Sequence, residues 1–164
     1  MKKQFFKLLV DIIFGIHVLG LAGIIFAIPV GIVNINQIKV SPDDWTLVHV
    51  IYAIISIVVY VLFLIGLFYL RKTALFLLKR NQFSLGIILN LKSSGLFFIV
   101  AGGLSFVQML GLWLWELYQG TFYLTYESNT MTPLFITIIG LFFVLQSNSL
   151  NFAMKFKNEN ELTI

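Results

Sequence analysis

The side chains in this sequence that could do chemistry are sparse. There are two histidines, His17 and His49, and seven carboxylates but no cysteine, which excludes a disulfide framework, a cysteine metal site and a thiol nucleophile. A serine, a histidine and a carboxylate could assemble a nucleophile, and two histidines could share a metal ion. The spacing favours neither: no such triad and no glycine-rich phosphate loop can be picked out, and His17 and His49 fall at different depths of their apolar runs. No cofactor is expected, and an intramembrane enzyme is the least supported class. What remains is hydrogen bonding and charge pairing inside long apolar segments. Asp11 lies in such a segment one helical turn after Lys7, which predicts an ion pair at a membrane boundary.

The elements that must position these groups are membrane spans. Of 164 residues, 59% are hydrophobic and 11% charged, and mean hydropathy is +0.96, more apolar surface than one water-soluble core of this size could hide. A spanning helix needs roughly 20 mainly apolar residues. Four stretches qualify, at about residues 8–33, 47–70, 94–118 and 133–153. The predicted fold is an all-α membrane protein, a single domain of four transmembrane helices in an antiparallel bundle. Lys2, Lys3 and Lys7 precede the first stretch as in a signal peptide, but its apolar part is too long and no small-x-small cleavage site follows, so it reads as a retained helix. Ser41, Pro42 and Asp44 have the pattern of a helix start, and Thr132 before Pro133 repeats it. Asp43 and Asp44 read as partners of the helix dipole, with a small cation site as the alternative.

Charge sets the orientation. Lys2, Lys3, Lys7, Arg71, Lys72, Lys79, Arg80, Lys92, Lys155 and Lys157 all fall on one side of such a bundle, and only Lys39 falls on the other. Short segments rich in Lys and Arg stay in the cytoplasm, so both termini and the middle connection are predicted to be cytoplasmic. Trp45, Trp113 and Trp115 mark the opposite boundary. The same cations explain a pI near 9.4 without a nucleic-acid partner, since they are placed for the headgroups of membrane lipids. Residues 71–93 are too apolar for a loop. They predict a second helix running on to about Arg80, a turn at Asn81 and Gln82, and a third helix capped by Ser84, together a cytoplasmic hairpin with an apolar face able to lie on the bilayer or hold a partner. Residues 154–164 form a short tail.

Polar and small residues inside the spans are expected to face other helices. Gly23, Ala27 and Gly31 form one small-residue stripe, and Ala101, Ser105, Gln108 and Gly111 form another. His49, Tyr52, Ser56 and Tyr60 share one face of the second helix, predicted to point inward. His17 and Tyr60 lie about 14 and 15 Å from the cytoplasmic ends of their spans at about 1.5 Å per residue. That match predicts a hydrogen bond or shared water between them. His17 reads as a packing histidine, with a proton-sensing or ligand-contacting role as the alternative. The inner half of the fourth helix carries Gln146, Ser147, Asn148, Ser149 and Asn151. It lies in the headgroup zone, or else it lines a wet cavity, and the candidate intramembrane cluster is His17, Tyr52, Ser56, Tyr60, Ser105, Gln108, Gln146 and Asn148.

Two further stretches carry a resemblance. One is the turn Lys79, Arg80, Asn81, Gln82, Phe83, Ser84, Leu85; the other is the tail Glu159, Asn160, Glu161, Leu162, Thr163, Ile164. Over its whole length the chain resembles a family of small four-helix bacterial membrane proteins catalogued as domain of unknown function 2975. That family usually has proline where this chain has Gln82, and it ends in an acidic residue followed by Asp-Leu-Thr-Ile. Its members are often encoded beside a small helix-turn-helix regulator of the Cro type, so the resemblance implies a membrane protein that holds or releases a repressor. Asn81, Phe83 and Ser84 in the turn and Glu161, Leu162, Thr163 and Ile164 in the tail are then the partner-binding candidates, with Leu162 and Ile164 as apolar anchors beside a free carboxylate. An immunity or stress-protection protein that binds a membrane-active toxin or peptide is a second class. A small proton-coupled transporter is a third, for which only His17 is deep enough.

Overall fold

A computed structural model describes residues 2–30, 47–78, 84–118, 120 and 131–161. Its regular elements among them are all helices: α1 (Lys2–Val30), α2 (Leu47–Leu78), α3 (Leu85–Tyr118) and α4 (Met131–Glu161). Each helix contains a stretch long and apolar enough to cross a membrane: Lys3–Phe26, Val50–Leu78, Leu85–Trp115 and Met131–Asn160. Large apolar side chains such as Leu19, Val107 and Leu145 point outward, a surface suited to lipid. These features make the chain a multi-pass membrane protein built as a helix bundle.

The helix boundaries follow local chemistry. Ser84 accepts from Ile87 N through its Oγ at 3.4 Å, and its carbonyl accepts from Ile88 N at 3.3 Å, so it caps α3 by satisfying orphan amides of the first turn. Gly120, at φ 69°, adopts the left-handed conformation that favours glycine just past a helix end, and its N–H reaches Leu117 O at 3.2 Å. At the start of α4 the sequence expectation needs correction. The helix begins at Met131, so Thr132 lies inside the first turn instead of capping it, and Pro133 falls where a missing N–H leaves no bond unmade. The helix start proposed at Ser41 and Pro42, the acidic pair Asp43 and Asp44, and Trp45 lie outside the described residues.

Each helix packs chiefly on the next in chain order, and α3 stands between α2 and α4. The core centres on Leu64 and Leu67 of α2 and Phe98 of α3, reached from α1 by Ile13 and Phe14 and from α4 by Ile136 and Phe143. Rings connect all four helices: His17 to Phe63 (centroids 5.2 Å), Phe63 to Phe98 (5.4 Å) and Phe98 to Phe143 (5.9 Å).

The closest approach is between α3 and α4. A Cβ on Gly95 would lie 2.6 Å from Gly140 O, one on Gly140 would lie 2.7 Å from Gly95 O, and one on Gly102 would lie 2.7 Å from Pro133 O and press on Thr137 Oγ1. Backbones meet there because no side chain intervenes. On α4 the seam is Pro133, Thr137, Gly140, Val144 and Ser147, alternating steps of four and three as in coiled-coil packing. At the α2–α3 contact Gly66 makes room for the Phe98 ring, and the fully buried Ser94 donates from Oγ to Gly66 O at 2.8 Å.

These glycines are not the ones the four-residue stripes single out. A Cβ on Gly23 or Gly111 would meet nothing within 4 Å; the side chain of Ala27 and all of Gly31 lie outside the described residues. The apolar residues of the hairpin are divided between interior and surface, with Leu75, Leu85 and Leu89 exposed. Thr73, Ala74, Ile87, Ile88 and Leu91 are buried, and the Phe76 ring lies over Gly86.

Candidate functional site

The polar residues singled out in the sequence fall into separate patches. The first lies between α1 and α2. Tyr60 Oη donates to the main-chain oxygen of His17 at 2.9 Å, and a Cβ on Gly20 would stand 3.0 Å from that hydroxyl, so a glycine at 20 keeps the approach open. The matched depths did predict that His17 and Tyr60 meet. The acceptor, however, is the backbone and not the imidazole. His17 Nδ1 lies 2.8 Å from Ile13 O; a carbonyl can only accept, so Nδ1 carries the proton. The imidazole rests against the Phe63 ring, the packing reading of this histidine.

The second patch lies between α2 and α3. Gln108 Nε2 donates to Ser56 Oγ at 2.6 Å and to Tyr52 O at 3.1 Å. A half-buried amide in an apolar segment needs partners, and both come from the hydroxyl-bearing face of α2. Ser105 is half-buried one turn away on α3. The side chain of His49 lies outside the described residues. That face of α2 therefore serves two neighbours, Tyr60 meeting α1 while Tyr52 and Ser56 meet α3.

Gln146 and Asn148 belong to neither patch. Both are exposed on α4, and Ser147 between them is buried, donating from Oγ to Ile88 O at 2.8 Å. This bond fixes their depth. Ile88 precedes Lys92 by one turn on α3, so Ser147 and its neighbours lie about 6 Å beyond Lys92 toward the start of that helix, at 1.5 Å per residue. A polar band outside the level of a lysine has the depth of the headgroup zone, which supports the headgroup alternative over the wet cavity.

The best-built polar assembly is at this basic end. Lys7 Nζ is 3.2 Å from Asp11 Oδ2, the pair predicted from spacing. Arg71, sixty residues further along, takes the other oxygen: its Nε donates to Asp11 Oδ1 at 2.7 Å. The guanidinium carbon stands 5.5 Å from the Phe14 ring centroid, and Lys72 Nζ stands 4.7 Å from that of Phe68. Sequence reasoning missed Arg71, Lys72 and their aromatic supports. The available signal was depth: Asp11 and Arg71 both sit where an apolar run meets its basic flank.

No family model, curated protein or solved structure matches the chain. The function must therefore be argued from these patches. Among the described residues no three His, Asp or Glu side chains gather as a metal site would need. Of the partner-binding candidates, Ser84 serves as the cap of α3. Asn81, Phe83, Leu162, Thr163 and Ile164 lie outside the described residues, as does the side chain of Glu161. The tail is nonetheless helical as far as Glu161, as the continuation of α4.

Proposed function

We propose that this protein is a non-enzymatic bacterial inner-membrane sensor whose cytoplasmic side binds a small helix-turn-helix regulator. Its four helices form an antiparallel bundle with both termini in the cytoplasm. Contacts support that course: Asp11 meets Arg71 while His17 meets Tyr60, Ser56 meets Gln108 while Gly66 meets Ser94, and Ile88 meets Ser147 while Gly102 meets Pro133. In each pair, residue numbers rise on one helix as they fall on the other. Basic residues collect at one end, which the charge rule assigns to the cytoplasm.

One observation carries the regulatory reading. Ser84, at the start of α3, is level with about residue 151 of α4, so the last ten residues or so of α4 run roughly 15 Å past the level of Ser84 at 1.5 Å per residue. On that arm Phe152 and Phe156, one turn apart, are 62% and 65% exposed, and Lys155 lies between them. The face turns away from the seam that packs on α3. It has the form of an amphipathic helix offered to a groove. The arm therefore recognises its partner as a helix, with Leu162 and Ile164 extending the contact.

The test is recovery of a candidate regulator on the full-length protein in detergent. Truncation after Lys157 removes the terminal anchors, and Phe152→Ser with Phe156→Ser removes the helical face. Loss of recovery in both is expected. Unchanged recovery in both would remove the arm and the tail from the mechanism.

A further inference from the structure

We propose that the basic end holds a binding site for the phosphodiester of an anionic phospholipid, with Arg71 as its hydrogen-bonding fork and Lys7 and Lys72 as flanking charges. The proposal is independent of any regulator. Arg71 is held on two sides, by Asp11 at its Nε edge and by the Phe14 ring, over which its guanidinium carbon stands at 5.5 Å. Its two Nη groups make no hydrogen bond among the described residues, and the side chain is 42% exposed. The Nη end of the guanidinium is thus without a partner among the described residues, on a side chain that Asp11 holds at Nε.

Lys72, the next residue, is shelved in the same way, over Phe68 at 4.7 Å and near Tyr69 at 5.6 Å. The Phe14 and Phe68 rings are 6.2 Å apart, so two cations stand on adjoining aromatic supports. Asp11 is shared between Lys7 and Arg71, and three cations outweigh its single charge. A planar fork whose two Nη groups have no partner among the described residues matches phosphate oxygens bidentately, as a lone ammonium cannot. Its level on α2 is where an apolar run gives way to charge, the depth at which lipid phosphates lie. Cations that merely anchor a helix need no such orientation. For Arg71 a carboxylate and one ring supply it.

The experiment uses the full chain in detergent micelles doped with either phosphatidylglycerol or phosphatidylcholine, with retained lipid counted by native mass spectrometry. The expected result is one retained phosphatidylglycerol in preference to phosphatidylcholine, not displaced by millimolar inorganic phosphate. Displacement by inorganic phosphate would assign the site to a soluble phosphate and overturn the lipid assignment. Arg71→Lys keeps the charge and loses the fork, so the preference should fall about tenfold, the size of a charge-assisted hydrogen bond. Asp11→Asn separates orientation from charge: it makes the end more positive yet should weaken retention, because a neutral amide oxygen holds the guanidinium less firmly than a carboxylate. An unchanged preference in Arg71→Lys, or stronger retention in Asp11→Asn, would show that net charge alone attracts the lipid and would overturn the site. Should Asp11→Asn fail to fold, Arg71→Lys decides alone, with its thermal midpoint compared with that of the parent chain.

Discussion

Replacing Gly140 with alanine tests the packing of the bundle where α3 and α4 meet backbone to backbone. The new Cβ would stand 2.7 Å from Gly95 O and 2.8 Å from Ile99 N, whereas ordinary contact begins at 3.4 Å. Neither obstacle is the tip of a flexible side chain, so α3 and α4 must part by about 0.7 Å, and a gap of that order forfeits a quarter to a half of each dispersion contact along the seam. Spread over the seam this amounts to ~2 kcal/mol, within the range for overpacked interiors, partly offset by the ~0.5–1 kcal/mol that alanine gains over glycine in a helix. A Cβ on Gly23 meets nothing within 4 Å, so Gly23→Ala keeps only the gain. Thermal unfolding in one detergent, followed by helical circular dichroism, compares the two. For a chain of this size about 1 kcal/mol corresponds to roughly 2–4 °C, so Gly140→Ala should melt several degrees below Gly23→Ala. Equal midpoints, or the reverse order, would refute the claim that the glycines at 95 and 140 set the helix spacing.

Three further outcomes follow from the hydrogen bonds. Tyr60→Phe removes the donor to His17 O; that carbonyl keeps its helical partner, so the loss should be about 0.6 kcal/mol, typical of such bonds within membranes, measured by unfolding in mixed micelles. Gln108→Leu and Ser56→Ala should be non-additive, because each removes the same contact; a double-mutant cycle with no coupling energy would show the pair to be incidental. Ser84→Ala should cost about 1 kcal/mol through the lost cap, read as faster amide exchange at Ile87.

The four helices could be read from apolar length alone, because a bilayer imposes that length on any spanning segment. Contacts within one helix or between residues at matched depth were also legible: Lys7 with Asp11, Ser84 as a cap, and His17 beside Tyr60. What escaped was rotation about the helix axis. With no water on the outside, apolar residues cover every face and the usual amphipathic stripe is missing. Small residues at steps of four, such as Gly23 and Ala27, then look like a seam as readily as the true one. The α3–α4 seam did carry a signal in the seven-residue spacing of Gly95 and Gly102, opposite alternating steps of four and three on α4. Arg71 was hidden for a different reason, since it pairs with Asp11 across sixty residues of sequence and only depth relates them. Depth predicted that His17 and Tyr60 meet, but could not say which atom of His17 would accept.

The depth of Ser147 has a consequence for the lipid around this protein. Although Met131–Asn160 is long and apolar enough on average to span, the unbroken apolar part of α4 before Gln146 is about fifteen residues, roughly 22 Å of helix at 1.5 Å per residue, against a hydrocarbon layer of about 30 Å. That mismatch draws headgroups inward along one flank only, and a bilayer responds to it by local thinning or by redistributing shorter acyl chains. The expected consequence is an uneven lipid shell, thinner or shorter-chained beside α4 than beside the long apolar runs of α2 and α3.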